Sequence, residues 1–255
     1  MDLQLSGKRA VITGGSRGIG LAVARALAAE GVRVALVARD GDALARAVTE
    51  VGAGAIAAVC DTGEDAAVSA MATSVTAALG GVDILVNCAA QANQGPMGDE
   101  LFDAQINVKV KGALRCARAF APQMAERGWG RIVTISGLAA RSTGSVVGSV
   151  RNVALVAMTK NLADEYGPAG INVTVVHPGM TVTERFPDTV AKMAAAAGLD
   201  AVGMEARLAA ATSVGRVIDA SEVADVVVFL ASPRSVAISG DVIAAGGGAR
   251  GVIHY

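Results

Sequence analysis

Short runs rich in valine, isoleucine and leucine alternate along the chain with longer, alanine-rich segments in which apolar residues recur every three to four positions. The short runs predict strands at 9–13, 32–38, 55–60, 83–87, 131–136, 172–176 and 241–244. The longer segments predict helices over roughly 18–30, 42–51, 64–79, 99–127, 146–166 and 219–231. Gly31, Gly80 and Gly167 stand where helices should end, the last followed by Pro168. Strands that are apolar throughout and separated by helices belong to a parallel sheet. Right-handed crossovers then place helices on both faces of it. The expected architecture is α/β: a doubly wound parallel sheet of about seven strands, formed as one domain over 1–255. One stretch, about 184–213, breaks the alternation and reads either as a helical flap beside a cleft or as a surface insertion.

Composition narrows this further. Hydrophobic residues make up 53% of the chain but aromatic residues only 3%, so the core should be closely packed helices on a sheet with few rings. The formal net charge is −1 with charges of both signs interspersed; without a basic stripe, nucleic acid is not an expected partner. No apolar run approaches membrane-spanning length, and no secretory leader precedes the first strand, so a soluble cytoplasmic protein is expected. Cys60, Cys88 and Cys116 lack paired spacing, which points to free thiols and to no metal site.

Between the first strand and first helix lies Thr13-Gly14-Gly15-Ser16-Arg17-Gly18-Ile19-Gly20. Glycines in that context allow a tight turn and let backbone approach a pyrophosphate, which settles on the free N–H groups of the helix N-terminus. The TGxxxGxG spacing resembles the glycine signature of the short-chain dehydrogenase/reductase family, a Rossmann fold. Asp61, beside Thr62, resembles the family's adenine contact. Asn87-Cys88-Ala89-Ala90 resembles its NNAG turn, and Asn107 in INVKVKG its active-site helix asparagine. Pro178-Gly179 with Thr183 resembles the segment flanking the nicotinamide, and Ser239-Gly240 with Gly246-Gly247 the closing segment. Together these span residues 8–248. The resemblance implies a dinucleotide held by Gly14, Ser16, Arg17, Gly18, Ile19, Gly20, Arg39, Asp61, Thr62, Asn87, Asn152, Pro178, Gly179 and Thr183. It also implies a small-molecule substrate and self-assembly as a homotetramer or homodimer through the helices at 99–127 and 146–166.

A carboxylate at the end of the second strand holds the adenosine ribose in NAD enzymes of this fold and would repel the extra phosphate of NADP. Here Arg39 occupies that place, with Asp40 after it and Arg17 in the glycine loop. Two guanidiniums can converge on a phosphate, which favours NADP(H) over NAD(H).

The catalytic end departs from the family. Its YxxxK motif is absent. Counting from Gly167–Gly170 and Pro178-Gly179, the tyrosine position falls on Gly148 and the lysine position on Asn152; the family serine falls on Gly137, one residue after Ser136. Tyr166 lies at the far end of its helix, and Lys160 is eight residues, roughly 12 Å, past the vacant lysine position. Asn107 and Ser136 remain as candidate catalytic groups, with Ser142, Ser145, Ser149 and Arg151 within reach by loop rearrangement. His177 is expected to support a loop rather than to titrate in the reaction, and His254 to be inert. Lys109, Lys111, Arg115 and Arg118 read as a solvated or subunit-facing surface. Two functions lead: an oxidoreductase of divergent mechanism, and a catalytically silent dinucleotide-binding protein; a third, a scaffold whose cofactor binding is vestigial, is opposed by the intact glycine loop and Asp61.

Overall fold

The structure, a computed structural model, describes residues 1–90, 98–251 and 253. His254 lies outside the described residues. Seven strands form one parallel sheet in the order β3–β2–β1–β4–β5–β6–β9. They are β1 (Arg9–Thr13), β2 (Arg33–Ala38), β3 (Ile56–Val59), β4 (Ile84–Asn87), β5 (Gly130–Ile135), β6 (Ile171–Pro178) and β9 (Val242–Ala245). The alternation of short and long apolar segments therefore gave the doubly wound α/β architecture correctly, with strand ends displaced by one or two residues.

Each strand of the sheet is apolar on both sides because both faces are covered. On β1, Ala10 and Ile12 join a core with α1 (Gly18–Ala29), α2 (Gly41–Val51) and α9 (Ala220–Ala231). Val11 points the other way, into a core with α3 (Asp65–Leu79), α5 (Gly112–Glu126) and α6 (Val146–Tyr166). The order reverses at β1, which pairs with β2 on one side and β4 on the other. Loops leaving these strands diverge to opposite faces, opening a crevice at their C-terminal ends.

At the opposite end of the sheet a part-buried ion pair fixes the strand starts. Asp83 accepts hydrogen bonds from Arg9 Nε at 2.7 Å and from its second guanidinium nitrogen at 2.6 Å, and Arg127 lies 3.5 Å away. Burial works against the ionised carboxyl, but the bonds from Arg9 outweigh it and hold Asp83 below the usual carboxylate range.

Two segments depart from simple expectation. Residues 99–127 are not one regular helix: α4 (Asp99–Gln105) passes through a π-helical turn (Ile106–Lys111) into α5. The 184–213 stretch is a helix pair, α7 (Phe186–Ala197) and α8 (Ala201–Ala210), packed around Phe186, Val190, Ala194 and Met204 apart from the two sheet cores. The pair is framed by β7 (Thr181–Val182), which pairs with β8 (Ile218–Asp219). Among the described residues no helix is long and apolar enough to cross a membrane.

Candidate active site

The crevice beyond β1 and β4 is a cleft of about 650 Å³. One end is built by the glycine turn. Gly14 adopts φ +68°, and a Cβ there would come within 2.8 Å of the Cys88 backbone. A Cβ on Gly20 would overlap the carbonyl oxygen of Gly14, so the first turn of α1 can close on the loop only with glycine at 20. Thr13 ties this turn to the next by accepting from the backbone N–H groups of Cys88 and Ala89 at 3.2 and 3.3 Å. The cradle is shaped for a ligand that must approach backbone closely. It fits a dinucleotide diphosphate at the α1 N-terminus. One group already touches that terminus: Glu184 Oε2 accepts from Gly18 N–H at 3.1 Å.

Gly14, Ser16, Arg17, Ile19, Arg39, Asp61, Thr62, Pro178 and Thr183 all line the cleft. Gly18 and Gly20 shape the turn behind it. Gly179 is packed against Gly246 and Leu138. Asn87 is buried: its amide nitrogen donates to Ala113 O at 3.5 Å, and its Oδ1 has no partner among the described residues. Arg39 sits at the open end, 3.7 Å from Asp61, with both side chains substantially exposed. Asp40 also borders the cleft, but its carboxylate caps α2 by accepting from Ala43 N–H at 3.0 Å.

The other end differs from the expectation built on sequence. Asn107 does not line the cleft. Its Nδ2 donates to Gly63 O at 3.1 Å and its Oδ1 accepts from Arg115 at 3.0 Å, pinning the π turn to the loop after β3. Lys109, expected on a solvated surface, is instead only 7% exposed and faces the cleft. Its ammonium donates to Ser136 O at 3.0 Å and to Asn152 Oδ1 at 2.9 Å. The pattern contained a signal for this. The buried stripe of α5 runs Ala113, Ala117, Phe120 and Met124, and one step of four back from Ala113 is Lys109. Burial, with a smaller contribution from the Arg151 cation, pushes the Lys109 ammonium down to about 8.

Asn152 therefore lies behind Lys109, not on the cleft wall. Ser136 does line the cleft, but its hydroxyl donates to Asn152 O at 3.2 Å. The remaining hydroxyls serve the loop: Ser145 caps α6 through Gly148 N–H at 3.0 Å, Ser149 donates to Ser142 O and Ser145 O, and Ser142 approaches Leu138 O. Gly148 sits in that first turn, where an added Cβ would meet Ser145 Oγ at 3.0 Å. Arg151 bonds Gln105 of α4, so α6 is joined to α4 by the Gln105–Arg151 rung and to the π turn by the Lys109–Asn152 rung. His177 accepts from Gly137 N–H at 3.4 Å and is buried beneath the loop. Tyr166 packs in the second core, its hydroxyl pushed up by burial and by Glu165. Cys60, Cys88 and Cys116 are free thiols.

Known proteins share this framework. The family model described as enoyl-(acyl carrier protein) reductase matches residues 14–250. The short-chain reductase protein NovJ of Streptomyces niveus is 34% identical over 246 residues, covering 94% of this chain and 92% of NovJ. The chain belongs to the short-chain dehydrogenase/reductase family. Among solved structures of such size, L-sorbose reductase from Gluconobacter frateurii, complexed with NADPH and L-sorbose, superposes on this family member with a TM-score of 0.92. The two are 32% identical, with 99% of this chain and 100% of that one covered. NAD+-bound xylitol dehydrogenase superposes with a TM-score of 0.89 at 27% identity, covering 96% of this chain and all of the other.

Proposed function

We propose that the chain is an NADP(H)-dependent oxidoreductase that exchanges hydride with a small carbonyl or alcohol substrate by a mechanism without the family's tyrosine. One observation carries the cofactor choice: Asp40, which follows Arg39 after β2, has its carboxylate engaged in capping α2, while Arg17 and Arg39 border the cleft. Neighbours do not decide it, since similar structures include both an NADPH complex and an NAD+ complex. Arg17 and Arg39 would hold the adenosine phosphate, the N–H groups at the start of α1 the diphosphate, and Asp61 and Thr62 the adenine side. Pro178 and Thr183 would border the nicotinamide, which when bound supplies or accepts the hydride. Relatives named for sorbitol, xylitol and sorbose make polyols and ketoses the first substrates to try. Val146, Val150 and Val153 stand exposed along α6, an apolar stripe that supports assembly with a second copy through that helix.

Titration of the purified chain with NADPH and with NADH, read by cofactor fluorescence, tests the cofactor assignment; NADPH is expected to bind at least ten-fold more tightly. Turnover is then measured against polyols, ketoses and other carbonyls. Tight NADPH binding with no turnover anywhere selects the second function, a silent dinucleotide-binding protein, which the engaged hydroxyls of Ser136, Ser145 and Ser149 favour.

A further inference from the structure

The catalytic end holds a cation for which the family pattern offers no role. Lys109 is supplied by the π turn between α4 and α5, whereas the vacant family positions at 148 and 152 lie on α6. Its ammonium is nearly enclosed, yet among the described residues it makes no ion pair: both its acceptors there are neutral oxygens, Ser136 O and Asn152 Oδ1. A buried charge held only by neutral groups is expensive to maintain, which argues that its position serves a ligand. An ammonium has three N–H donors. Two are engaged among the described residues, and the third remains for a group in the cleft. The alternatives are poor. Ser136, which lines the cleft, already donates its hydroxyl to Asn152 O, and the thiol of Cys88, which also lines the cleft, is pushed up to about 11 by burial.

We propose that Lys109 is the proton donor of this site, acting on the oxygen of a carbonyl substrate, with Asn152 and the Ser136 carbonyl as the brackets that aim it. The inference rests on the oxidoreductase function proposed above. In the reducing direction the carbonyl carbon gains a hydride from the reduced nicotinamide, and the C–O π pair settles on oxygen. That oxygen takes a proton as one N–H bond of Lys109 breaks. Nζ keeps the bonding pair as a neutral amine and regains a proton from water. The surroundings suit an acid working near neutrality. Burial and Arg151 of α6 disfavour the ammonium; the Cys88 thiol from the end of β4 is neutral in that range. His177 of β6 is separated from the cleft by Gly137, to which its Nδ1 is bonded.

Two measurements on the full chain test this. In protein labelled with 13Cε-lysine, the NMR signal lost in Lys109→Met identifies Lys109. Its titration midpoint is expected near 8, and a midpoint at the ordinary lysine value near 10.4 would overturn the proposal. With any carbonyl that the wild type reduces, kcat is expected to fall as pH rises through the same midpoint. Lys109→Met and Lys109→Arg should each lose about 100-fold or more in kcat while still binding NADPH, and the Arg variant should lose the limb near 8 because its guanidinium stays protonated. If either variant keeps kcat within three-fold, Lys109 is not the donor even though the chain is an enzyme. A wild type that binds NADPH and reduces nothing removes the oxidoreductase function itself.

Discussion

Burying Lys109 should leave a mark on folding that does not depend on any substrate. Its ammonium is pushed from 10.5 down to about 8, so above the folded midpoint the unfolded chain binds a proton that the native chain has released. For a group with a depressed cationic pKa the sign is fixed: the penalty of burial is fully present below about 8 and is relieved as pH rises from there toward 10.5. Linkage over that shift amounts to about 3 kcal/mol in total, of which about 2 kcal/mol should return between pH 7 and 9.5. The perturbation is Lys109→Met, similar in length and without the charge. The substitution also strips two hydrogen bonds from Ser136 O and Asn152 Oδ1, but that loss does not vary with pH and cancels in the comparison. Urea unfolding of both proteins, at one protein concentration across pH 7 to 9.5, gives the difference directly. Wild type should gain about 2 kcal/mol on the variant across the range. Parallel curves, separated by a constant, would refute a depressed, buried ammonium and with it the placing of Lys109.

Other parts of the molecule give sharper, smaller tests. Glu184 touches the α1 N-terminus where a diphosphate is expected, so Glu184→Gln should tighten NADPH binding about three- to ten-fold; weaker binding would mean the carboxylate helps to hold the ligand. Gly20→Ala places a methyl against the Gly14 carbonyl and should weaken NADPH at least about 100-fold in a chain whose circular dichroism stays helical. Asp83→Asn removes the partner of Arg9 and should destabilise by about 3 kcal/mol at pH 7 in urea melts. Because the folded carboxyl of Asp83 is depressed, the difference from wild type should hold above pH 4 and close as pH falls below it.

How far the sequence reached is clearest in particular residues. β1 and β5 were legible because strands covered on both faces are apolar throughout, and glycine ends such as Gly31 and Gly80 mark where helices stop. The glycine turn was legible because Gly14 and Gly20 are demanded by backbone contact, which few other residues can satisfy. Lys109 was misplaced because residue type outweighed position: a lysine reads as surface, although the stripe through Ala113 and Phe120 put it inside. The π turn has no compositional mark at all, since it differs from an α-helix only in which carbonyl each N–H reaches. Nor could any local pattern bring Glu184 to Gly18, which are 166 residues apart in the chain.

The α7–α8 pair stands on apolar residues of its own, Phe186, Val190, Ala194 and Met204, and is anchored by the short β7–β8 ladder. That makes it a cassette. A substitution within it is felt first by its few internal neighbours and not by the sheet, so the pair can be redrawn while the dinucleotide cradle keeps its shape. The helices from Phe186 to Ala210 should then be exchangeable between relatives as a block, leaving the host fold intact.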